Sequence, residues 1–164
     1  MSAFLLLLIA FAIKRHGCLN PDLTSDTAVI FGQGNVAIDI ARILLSPIDE
    51  LAKTDITANA LAALAESNVK RVHIVGRRGA GDVAFTIKEA RELSRLQDCY
   101  AHIDPTDVAF TDEEQAYIDS KRPRKRLTAL LQKIAGEDFD GQLRRWDLEF
   151  KQGRCRAALV RLRA

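Results

Sequence analysis

Short apolar runs alternate with helical patterns through the first two thirds of the chain. The runs Thr27–Phe31 (TAVIF), residues 72–75 (VHIV) and residues 100–103 (YAHI) have the length of β-strands. Between the first two runs, Asn35–Leu45 places its apolar residues at helical spacing, and an alanine- and leucine-rich segment continues to about Glu66. This order of strands and helices predicts an α/β fold, a Rossmann-like parallel sheet with flanking helices.

Two sequence motifs of the kind that begins a helix lie further along the chain. Thr86 and Glu89 have the spacing of a capping box, which predicts a helix from there to about Leu96. Thr111 and Glu114 have the same spacing and predict a second capped helix start.

The last third of the chain has a weaker pattern. Residues 127–135 form an amphipathic helical pattern, and residues 146–150 and 158–162 alternate as strands do, with Gly153 between them. We therefore predict a C-terminal β-hairpin, and we assign residues 21–164 to one nucleotide-binding domain.

Residues 1–20 are set apart by an uninterrupted apolar run, residues 4–13 (FLLLLIAFAI). This run has about half the roughly 20 residues that a membrane-spanning helix needs. It also lacks the preceding positive charge and the clear cleavage site of a signal peptide. An irregular or misassigned chain start, a membrane-directing segment and a buried element all remain open, so the segment decides neither localisation nor membrane association.

Composition limits the classes of function. The 164 residues provide for one domain of ordinary size, and a net charge of +2 favours neither nucleic acid nor an acidic partner. Cys18, Cys99 and Cys155 are scattered and form no C-x-x-C pair, so we predict no metal site. His73 lies in an apolar run, which favours a packed structural histidine over a ligand.

A glycine motif follows the first predicted strand. Residues 32–37 (GQGNVA) form the pattern G-x-G-x-x-A between a strand and a helix. Gly32 permits a tight turn, Gly34 allows a pyrophosphate to approach the backbone, and Ala37 lets the helix pack closely on the strand. The N–H groups at the helix start would face the anion. The alternative is an ordinary strand-to-helix turn with packing glycines.

Two arginines follow the second predicted strand. In dinucleotide-binding folds this position contacts the adenosine ribose, where an acidic residue favours NAD and arginine accommodates a 2′-phosphate. Arg77 and Arg78 therefore predict NADP(H) as the cofactor. A solvated charged loop is the alternative.

Several stretches in one order resemble a known family. They are TAVIFGQGNVAIDIARILL, VKRVHIVGRRG, VAFTIKEARE and RPRKRLTALL. They resemble the NADP-binding half of adrenodoxin reductase and related ferredoxin–NADP reductases of the glutathione-reductase-like type. The resemblance is close over residues 21–131 and loose beyond them.

The resemblance implies a flavoenzyme that transfers a hydride from NADPH to FAD and passes electrons to a [2Fe–2S] ferredoxin. It implies that residues 33–36 bind the pyrophosphate and nicotinamide side, that Arg77 and Arg78 hold the 2′-phosphate, and that Glu89 lies against the nucleotide. With the glycine motif, the predicted cofactor-binding residues are Gly32, Gln33, Gly34, Asn35, Val36, Arg77, Arg78 and Glu89. No residue of this chain is assigned a catalytic role, because the redox chemistry belongs to the cofactors.

The resemblance also gives a meaning to the basic run at residues 121–126 (KRPRKR). It implies that Arg91, Arg122 and Arg126 face acidic groups of a ferredoxin or adrenodoxin, as complementary charge would steer the encounter. Taken alone, the run is typical of a solvated helix start or of a nucleic-acid patch. We do not expect nucleic-acid binding, because no aromatic stacking platform accompanies the run.

The chain also departs from the family. It has no second glycine fingerprint, so the FAD site is largely absent, and Asp82 adds an anion near the proposed phosphate. We therefore predict an NADP-binding domain, encoded as a fragment or partial gene model, that binds NADP(H) with little or no turnover. A non-catalytic nucleotide-binding or ferredoxin-docking module is the alternative. The family implies a mitochondrial location on the matrix side in a eukaryote and a cytoplasmic one in a bacterium.

Overall fold

The fold is built on a four-stranded sheet. The computed structural model describes residues 21–137 and 144–150. The strands are β1 (Thr27–Phe31), β2 (Arg71–Gly76), β3 (Cys99–Ile103) and β4 (Arg144–Phe150). All neighbouring strands are parallel, and their order across the sheet is β1-β2-β4-β3. The predicted α/β class with a Rossmann-like parallel sheet is thus confirmed.

Helices connect every pair of consecutive strands, as parallel pairing requires. Between β1 and β2 lie α1 (Asn35–Leu45), α2 (Ile48–Leu51) and α3 (Ala58–Ala65). Between β2 and β3 lie a 3₁₀ turn, Ala80–Asp82, and α4 (Ile87–Leu93). Between β3 and β4 lie a second 3₁₀ turn, Pro105–Val108, then α5 (Asp112–Asp119) and α6 (Arg122–Ala135).

One face of the sheet carries the hydrophobic core. Its side chains form two rows across the four strands, because paired residues in register point the same way. The rows, in the order β1, β2, β4, β3, are Ala28, Val72, Trp146, Ala101 and Ile30, Ile74, Leu148, Ile103. Ile38 of α1, Leu93 of α4 and Leu131 of α6 belong to the same buried cluster, each at most 1% exposed. Truncating such a residue to alanine costs roughly 2–5 kcal/mol.

The opposite face carries polar side chains. His73, Asp147 and His102 form one row across β2, β4 and β3. His102 Nδ1 lies 3.1 Å from a carboxylate oxygen of Asp147, and His73 Nδ1 lies 2.7 Å from Oε1 of Glu149. His73 is therefore a part-buried residue paired with carboxylates. Among the described residues no group of His, Cys, Asp and Glu is arranged to hold a metal ion.

Local sequence signals set several helix ends. The backbone N–H and hydroxyl of Ser46 both donate to the Arg42 carbonyl and end α1 before Pro47, as predicted. The capping box predicted at Thr111 and Glu114 is formed in full at the start of α5. Such caps each contribute about 1 kcal/mol to helix stability.

The capping box predicted at Thr86 and Glu89 is not formed. Thr86 is the N-cap of α4, but its side chain makes no capping hydrogen bond. Its backbone N–H donates instead to the Asn35 side-chain oxygen at 3.0 Å. Since this amide supplies the acceptor that the Glu89 carboxylate would have supplied, Glu89 is not needed for the cap. The helix also ends at Leu93 rather than about Leu96, in a turn with tighter i to i−3 bonds.

The prediction of a C-terminal hairpin differs from the structure at its first strand. β4 lies inside the sheet, and parallel neighbours β2 and β3 occupy both of its edges. The alternation seen at residues 146–150 comes from a strand with one buried and one polar face. Such a face pattern is shared by hairpin arms and interior strands of a sheet with one covered face. The second predicted hairpin strand, residues 158–162, lies outside the described residues.

The apolar run at residues 4–13 also lies outside the described residues. Across residues 21–137 and 144–150, no helix combines the length and the apolar character that crossing a bilayer requires.

Candidate functional site

A cavity of about 490 Å³ opens where β1 and β2 end and α1 begins. Ligands of open α/β sheets bind at this edge, beyond the carboxyl ends of the strands. The lining residues come from the glycine motif, the end of β2 and the loop after it. They are Phe31, Gly32, Gln33, Gly34, Val75, Gly76, Arg77, Arg78, Asp82 and Ala84. Five of the predicted cofactor-binding residues are therefore brought together.

Gly32 makes the turn that leaves β1. Its φ of +137° lies in a region that other residues rarely adopt. Its N–H donates to the Val75 carbonyl at 2.8 Å, which ties the turn to the end of β2. The first glycine of the motif is therefore required by the backbone itself.

Gly34 has a different reason to be glycine. Its φ is −106°, which any residue adopts, and a Cβ added there would meet no atom within 4 Å. As N-cap of α1 it accepts hydrogen bonds from Ala37 and Ile38, whereas no side chain caps the helix and no acidic residue lies in its first turn. The free N–H groups of the first turn and the positive end of the helix dipole thus remain available to an anion.

Gln33 links three strand ends. Its side chain is 8% exposed, passes over Gly76 where a Cβ would collide with it, and donates to the backbone carbonyl of Glu149 at 3.0 Å. Its own carbonyl accepts from Ala84. Gly76 is therefore part of the site, because only glycine leaves room for Gln33 to reach β4.

Asn35 and Val36 lie beside the cavity rather than in its lining. The Asn35 side chain is held by Thr86 and so joins the starts of α1 and α4. Val36 is 58% exposed and Phe31, at the other side of the glycine turn, is 50% exposed. These are two of three large apolar residues exposed in the described part of the chain.

Arg77 and Arg78 line the cavity from the loop after β2. Both are exposed, and neither side chain forms an ion pair or hydrogen bond with another described residue. Two guanidinium groups without carboxylate partners at one rim give that rim a positive potential. They are suited to bidentate contacts with a phosphate group.

Asp82 lies in the same lining and is paired. Its Oδ1 is 3.0 Å from Nη1 of Arg124, the third residue of α6, whose guanidinium also donates to the Gly81 carbonyl. The anion that the sequence placed near the proposed phosphate is thus partly neutralised by a residue 42 positions away along the chain.

Glu89 is not in the cavity lining and instead lies where α4 packs against α1. There Arg42 pairs with Asp39 at 3.3 Å and with Glu92 at 2.6 Å. Burial raises the pKa of Asp39, and the negative charges of Glu89 and Glu92 add to the rise while Arg42 opposes it. Oε2 of Glu89 is buried without a hydrogen-bond partner among the described residues. A buried acceptor of this kind is available to a water molecule or to a ligand donor.

The three predicted docking arginines are all exposed. Arg91 lies in the last turn of α4, and Arg122 and Arg126 lie one turn apart at the start of α6, which packs against α4. None of the three has an ion-pair partner in the described part of the chain. Lys125, by contrast, pairs with Asp119 at 3.3 Å.

An exposed aromatic ring does accompany the basic run. Tyr117 is 46% exposed, and the Lys121 ammonium lies 4.3 Å from its ring centroid and 2.7 Å from its hydroxyl. The hydrogen bond from Lys121 lowers the pKa of Tyr117. The i, i+4 spacing of the two residues is the one sequence signal that indicates this contact.

Sequence reasoning missed Phe31, Gly76 and Ala84 as lining residues and Arg124 as the partner of Asp82. Gly76 could have been found, because it stands where a strand meets the arginine pair. The pairing of Arg124 has no local signal, since the two residues are joined only by folding.

Comparison with known proteins shows a consistent set of relatives. The chain is 56% identical over 119 residues to NADPH:adrenodoxin oxidoreductase, mitochondrial, of Bos taurus, and 48% identical over 121 residues to the protein of that name from Arabidopsis thaliana. Each match covers 73% of this chain, but only 24% and 25% of the relative. No protein-family model matches the chain.

A solved structure agrees with these relatives. The structure of Mycobacterium tuberculosis FprA in complex with NADPH matches with a TM-score of 0.75 and 39% sequence identity, covering 82% of this chain and 29% of that one. The chain thus spans about a quarter of the length of the curated relatives it matches. The resemblance seen in the sequence is confirmed: this chain is related to the NADPH:adrenodoxin oxidoreductases and corresponds to one segment of them.

Proposed function

We propose that this chain is the NADP(H)-binding part of an NADPH:adrenodoxin (ferredoxin) oxidoreductase. The observation that carries the proposal is the cavity at the ends of β1 and β2. It combines a glycine turn, a helix N-terminus without a side-chain cap and two arginines that have no partners among the described residues. The glycine turn and the helix N-terminus suit the pyrophosphate of NADP(H), and the two arginines suit its 2′-phosphate.

The pyrophosphate is assigned to the start of α1. Gly34 leaves open space in front of the first helical turn, and the N–H groups there point towards that space. The 2′-phosphate is assigned to Arg77 and Arg78, because it is the group that distinguishes NADP(H) from NAD(H) and it needs charge-assisted donors. Support comes from the related FprA, whose structure was solved in complex with NADPH.

Glu89, Asn35 and Val36 are assigned to the rest of the nucleotide. The unpartnered Oε2 of Glu89 offers an acceptor at the α1–α4 packing surface, and Arg42 fixes the neighbouring carboxylates there. Val36 offers an exposed apolar contact at the helix start.

In the complete enzyme, FAD and the nicotinamide would supply the redox chemistry. The residues of this chain hold and orient the nucleotide, and none of them is assigned a proton-transfer or covalent step. We further propose that Arg91, Arg122 and Arg126 bind an acidic [2Fe–2S] ferredoxin such as adrenodoxin. Their exposure, and the lack of ion-pair partners for them among residues 21–137 and 144–150, support this role.

We assign residues 21–164 to this NADP-binding domain and leave residues 1–20 as a separate segment. The eukaryotic relatives are named mitochondrial, which supports a mitochondrial location by resemblance. For a eukaryotic source we propose the matrix side, and for a bacterial source the cytoplasm.

The alternative is a non-catalytic NADP-binding or ferredoxin-docking fragment without an FAD domain. A flavin absorbance spectrum of the purified chain distinguishes the two, because bound flavin would show that an FAD site is present.

Calorimetric titration with NADP⁺ and NAD⁺ tests the proposed nucleotide site. We expect NADP⁺ to bind at least tenfold more tightly, which is the effect of one charge-assisted contact of about 1.5 kcal/mol. Equal affinity for the two cofactors would contradict the assignment of Arg77 and Arg78.

A further inference from the structure

We propose that Arg124 maintains the selectivity of the cavity for a 2′-phosphate by neutralising Asp82. The inference rests on the proposed function, because it assumes that the cavity binds NADP(H). It assigns a specificity-determining role to a residue of the basic helix start that is not among the expected docking arginines.

Asp82 stands where it can affect the phosphate. It lines the same cavity as Arg77 and Arg78, four residues after Arg78 along the same loop. Its side chain is 59% exposed, so its charge faces the solvent-filled space that a ligand would enter. Without a cation beside it, this carboxylate would offset part of the positive potential of the two arginines.

Arg124 supplies that cation and is held in place by several contacts. Its Nη1 is 3.0 Å from Oδ1 of Asp82 and donates to the Gly81 carbonyl in the same 3₁₀ turn. Its guanidinium carbon lies 5.9 Å from the ring centroid of Tyr117. The side chain is 31% exposed and therefore less free to move than Arg122 or Arg126.

The difference in charge between NADP⁺ and NAD⁺ explains why the Arg124–Asp82 pair affects the selectivity between them rather than the affinity for both. NADP⁺ and NAD⁺ share the pyrophosphate, so any repulsion that reaches it affects both cofactors. Only NADP⁺ carries the 2′-phosphate, whose negative charge would lie in the rim that holds Arg77, Arg78 and Asp82. An unpaired Asp82 would therefore weaken NADP⁺ more than NAD⁺, and more at low salt than at high salt.

Two other roles of Arg124, binding the phosphate directly or anchoring the loop, predict a different result from neutralisation of Asp82. In either of those roles the loss of Arg124 cannot be repaired by changing Asp82. If Arg124 acts by neutralising Asp82, removing the carboxylate should make Arg124 dispensable. A double-mutant cycle separates these cases.

The experiment measures NADP⁺ and NAD⁺ affinities of the 164-residue protein by calorimetric titration at low ionic strength. Its variants are Arg124→Ala, Asp82→Asn and the double variant Arg124→Ala/Asp82→Asn. The control is Lys125→Ala, which removes a neighbouring ion pair of α6 with Asp119 that is outside the cavity lining. Circular dichroism verifies that each variant is folded, and Arg124→Gln replaces Arg124→Ala if the latter does not fold.

We expect Arg124→Ala to lower the NADP⁺/NAD⁺ affinity ratio by about three- to fivefold, the upper part of the range for losing a partly exposed charge pair. Asp82→Asn should maintain or raise the ratio, the double variant should restore it to within about twofold, and Lys125→Ala should leave it unchanged. An unchanged ratio in Arg124→Ala, or no recovery in the double variant, would overturn the inference while the proposed function stands. If the unmodified protein shows no preference for NADP⁺, both fail together.

Discussion

Two cationic stretches of this chain look alike in sequence and differ in the folded protein. Arg77 and Arg78 follow β2, line the cavity and have no ion-pair partners among the described residues. The basic run at residues 121–126 begins α6, and there Arg124 and Lys125 are paired with Asp82 and Asp119. In the part of the chain that the structure describes, Arg122 and Arg126 of that run have no ion-pair partner, and Lys121 contacts only the hydroxyl and ring of Tyr117.

The difference shows that the function of a cationic side chain depends on whether the fold places a carboxylate beside it. A paired guanidinium neutralises its carboxylate partner, and an exposed pair of this kind contributes about 0–1 kcal/mol to stability. An unpaired guanidinium beside a cavity or on an open helix surface keeps its donors for a ligand. Composition alone does not distinguish among the seven basic residues of these two stretches.

The largest expected effect comes from removing the unpaired cations of the cavity. Arg77→Ala combined with Arg78→Ala should weaken NADP⁺ binding about 100-fold, at roughly 1.5 kcal/mol for each lost charge-assisted contact. NAD⁺ affinity should change little, because NAD⁺ lacks the 2′-phosphate. Calorimetric titration measures both, with Lys133→Ala at the far end of α6 as control. An equal loss of affinity for the two cofactors would show that these arginines do not bind the 2′-phosphate.

The next largest effects are expected at Gly32 and Gly34, the two glycines of the turn. Substitution should affect folding stability at Gly32 and nucleotide binding at Gly34. Gly32→Ala should lower the free energy of unfolding by roughly 1–3 kcal/mol, because alanine is strained at positive φ. Gly34→Ala should change folding stability by less than about 0.5 kcal/mol and should weaken nucleotide binding, because its methyl group enters space left for the ligand. Urea unfolding and titration of both variants provide the measurement. A strongly destabilised Gly34→Ala would show that the fold itself requires the second glycine.

A smaller effect is expected where cations are unpaired on the helix surface. Arg122→Glu should weaken binding of an acidic [2Fe–2S] ferredoxin such as adrenodoxin about fivefold at low salt, and less as salt rises, since exposed charges mainly steer the encounter. Lys133→Glu on the same helix makes the same change of charge at a distance from the proposed surface and serves as the control. Surface plasmon resonance over a salt series measures the effect. An equal loss in both variants, or a loss that does not depend on salt, would refute the docking surface.

The smallest effect is expected at the most fully paired cation, Arg42, through its neighbour Asp39. Burial raises the pKa of Asp39, so the stability that its neutral form provides is lost as pH rises above 3.8 through the raised value. Asp39→Asn should therefore gain stability relative to the unmodified protein as pH rises from acid to neutral. Urea unfolding at the two ends of that range measures the gain, with exposed Asp49→Asn on α2 as control. A relative gain that falls as pH rises would contradict the assigned direction of the pKa shift.

Much of the fold could be predicted from local pattern. The runs that became β1, β2 and β3 were identified within about one residue, because each is apolar and bounded by turn residues. The position of β4 between β2 and β3 could not be predicted. Alternating apolar and polar residues indicate a strand with one buried face, but they do not indicate which strands pair with it. The Thr86–Glu89 capping box also failed, because Asn35, distant in sequence, supplied the acceptor.

The sequence by itself determined the order of elements, the glycine turn and the choice of an arginine pair after β2, because these depend on local backbone preference and residue chemistry. Only the tertiary structure decided which charged side chains form ion pairs. It placed Gln33 over Gly76, left Oε2 of Glu89 without a partner among the residues that the structure describes, and brought Arg124 to Asp82. These contacts join residues that are far apart along the chain, and a contact of that kind leaves no periodic or local signal for a sequence pattern to reveal.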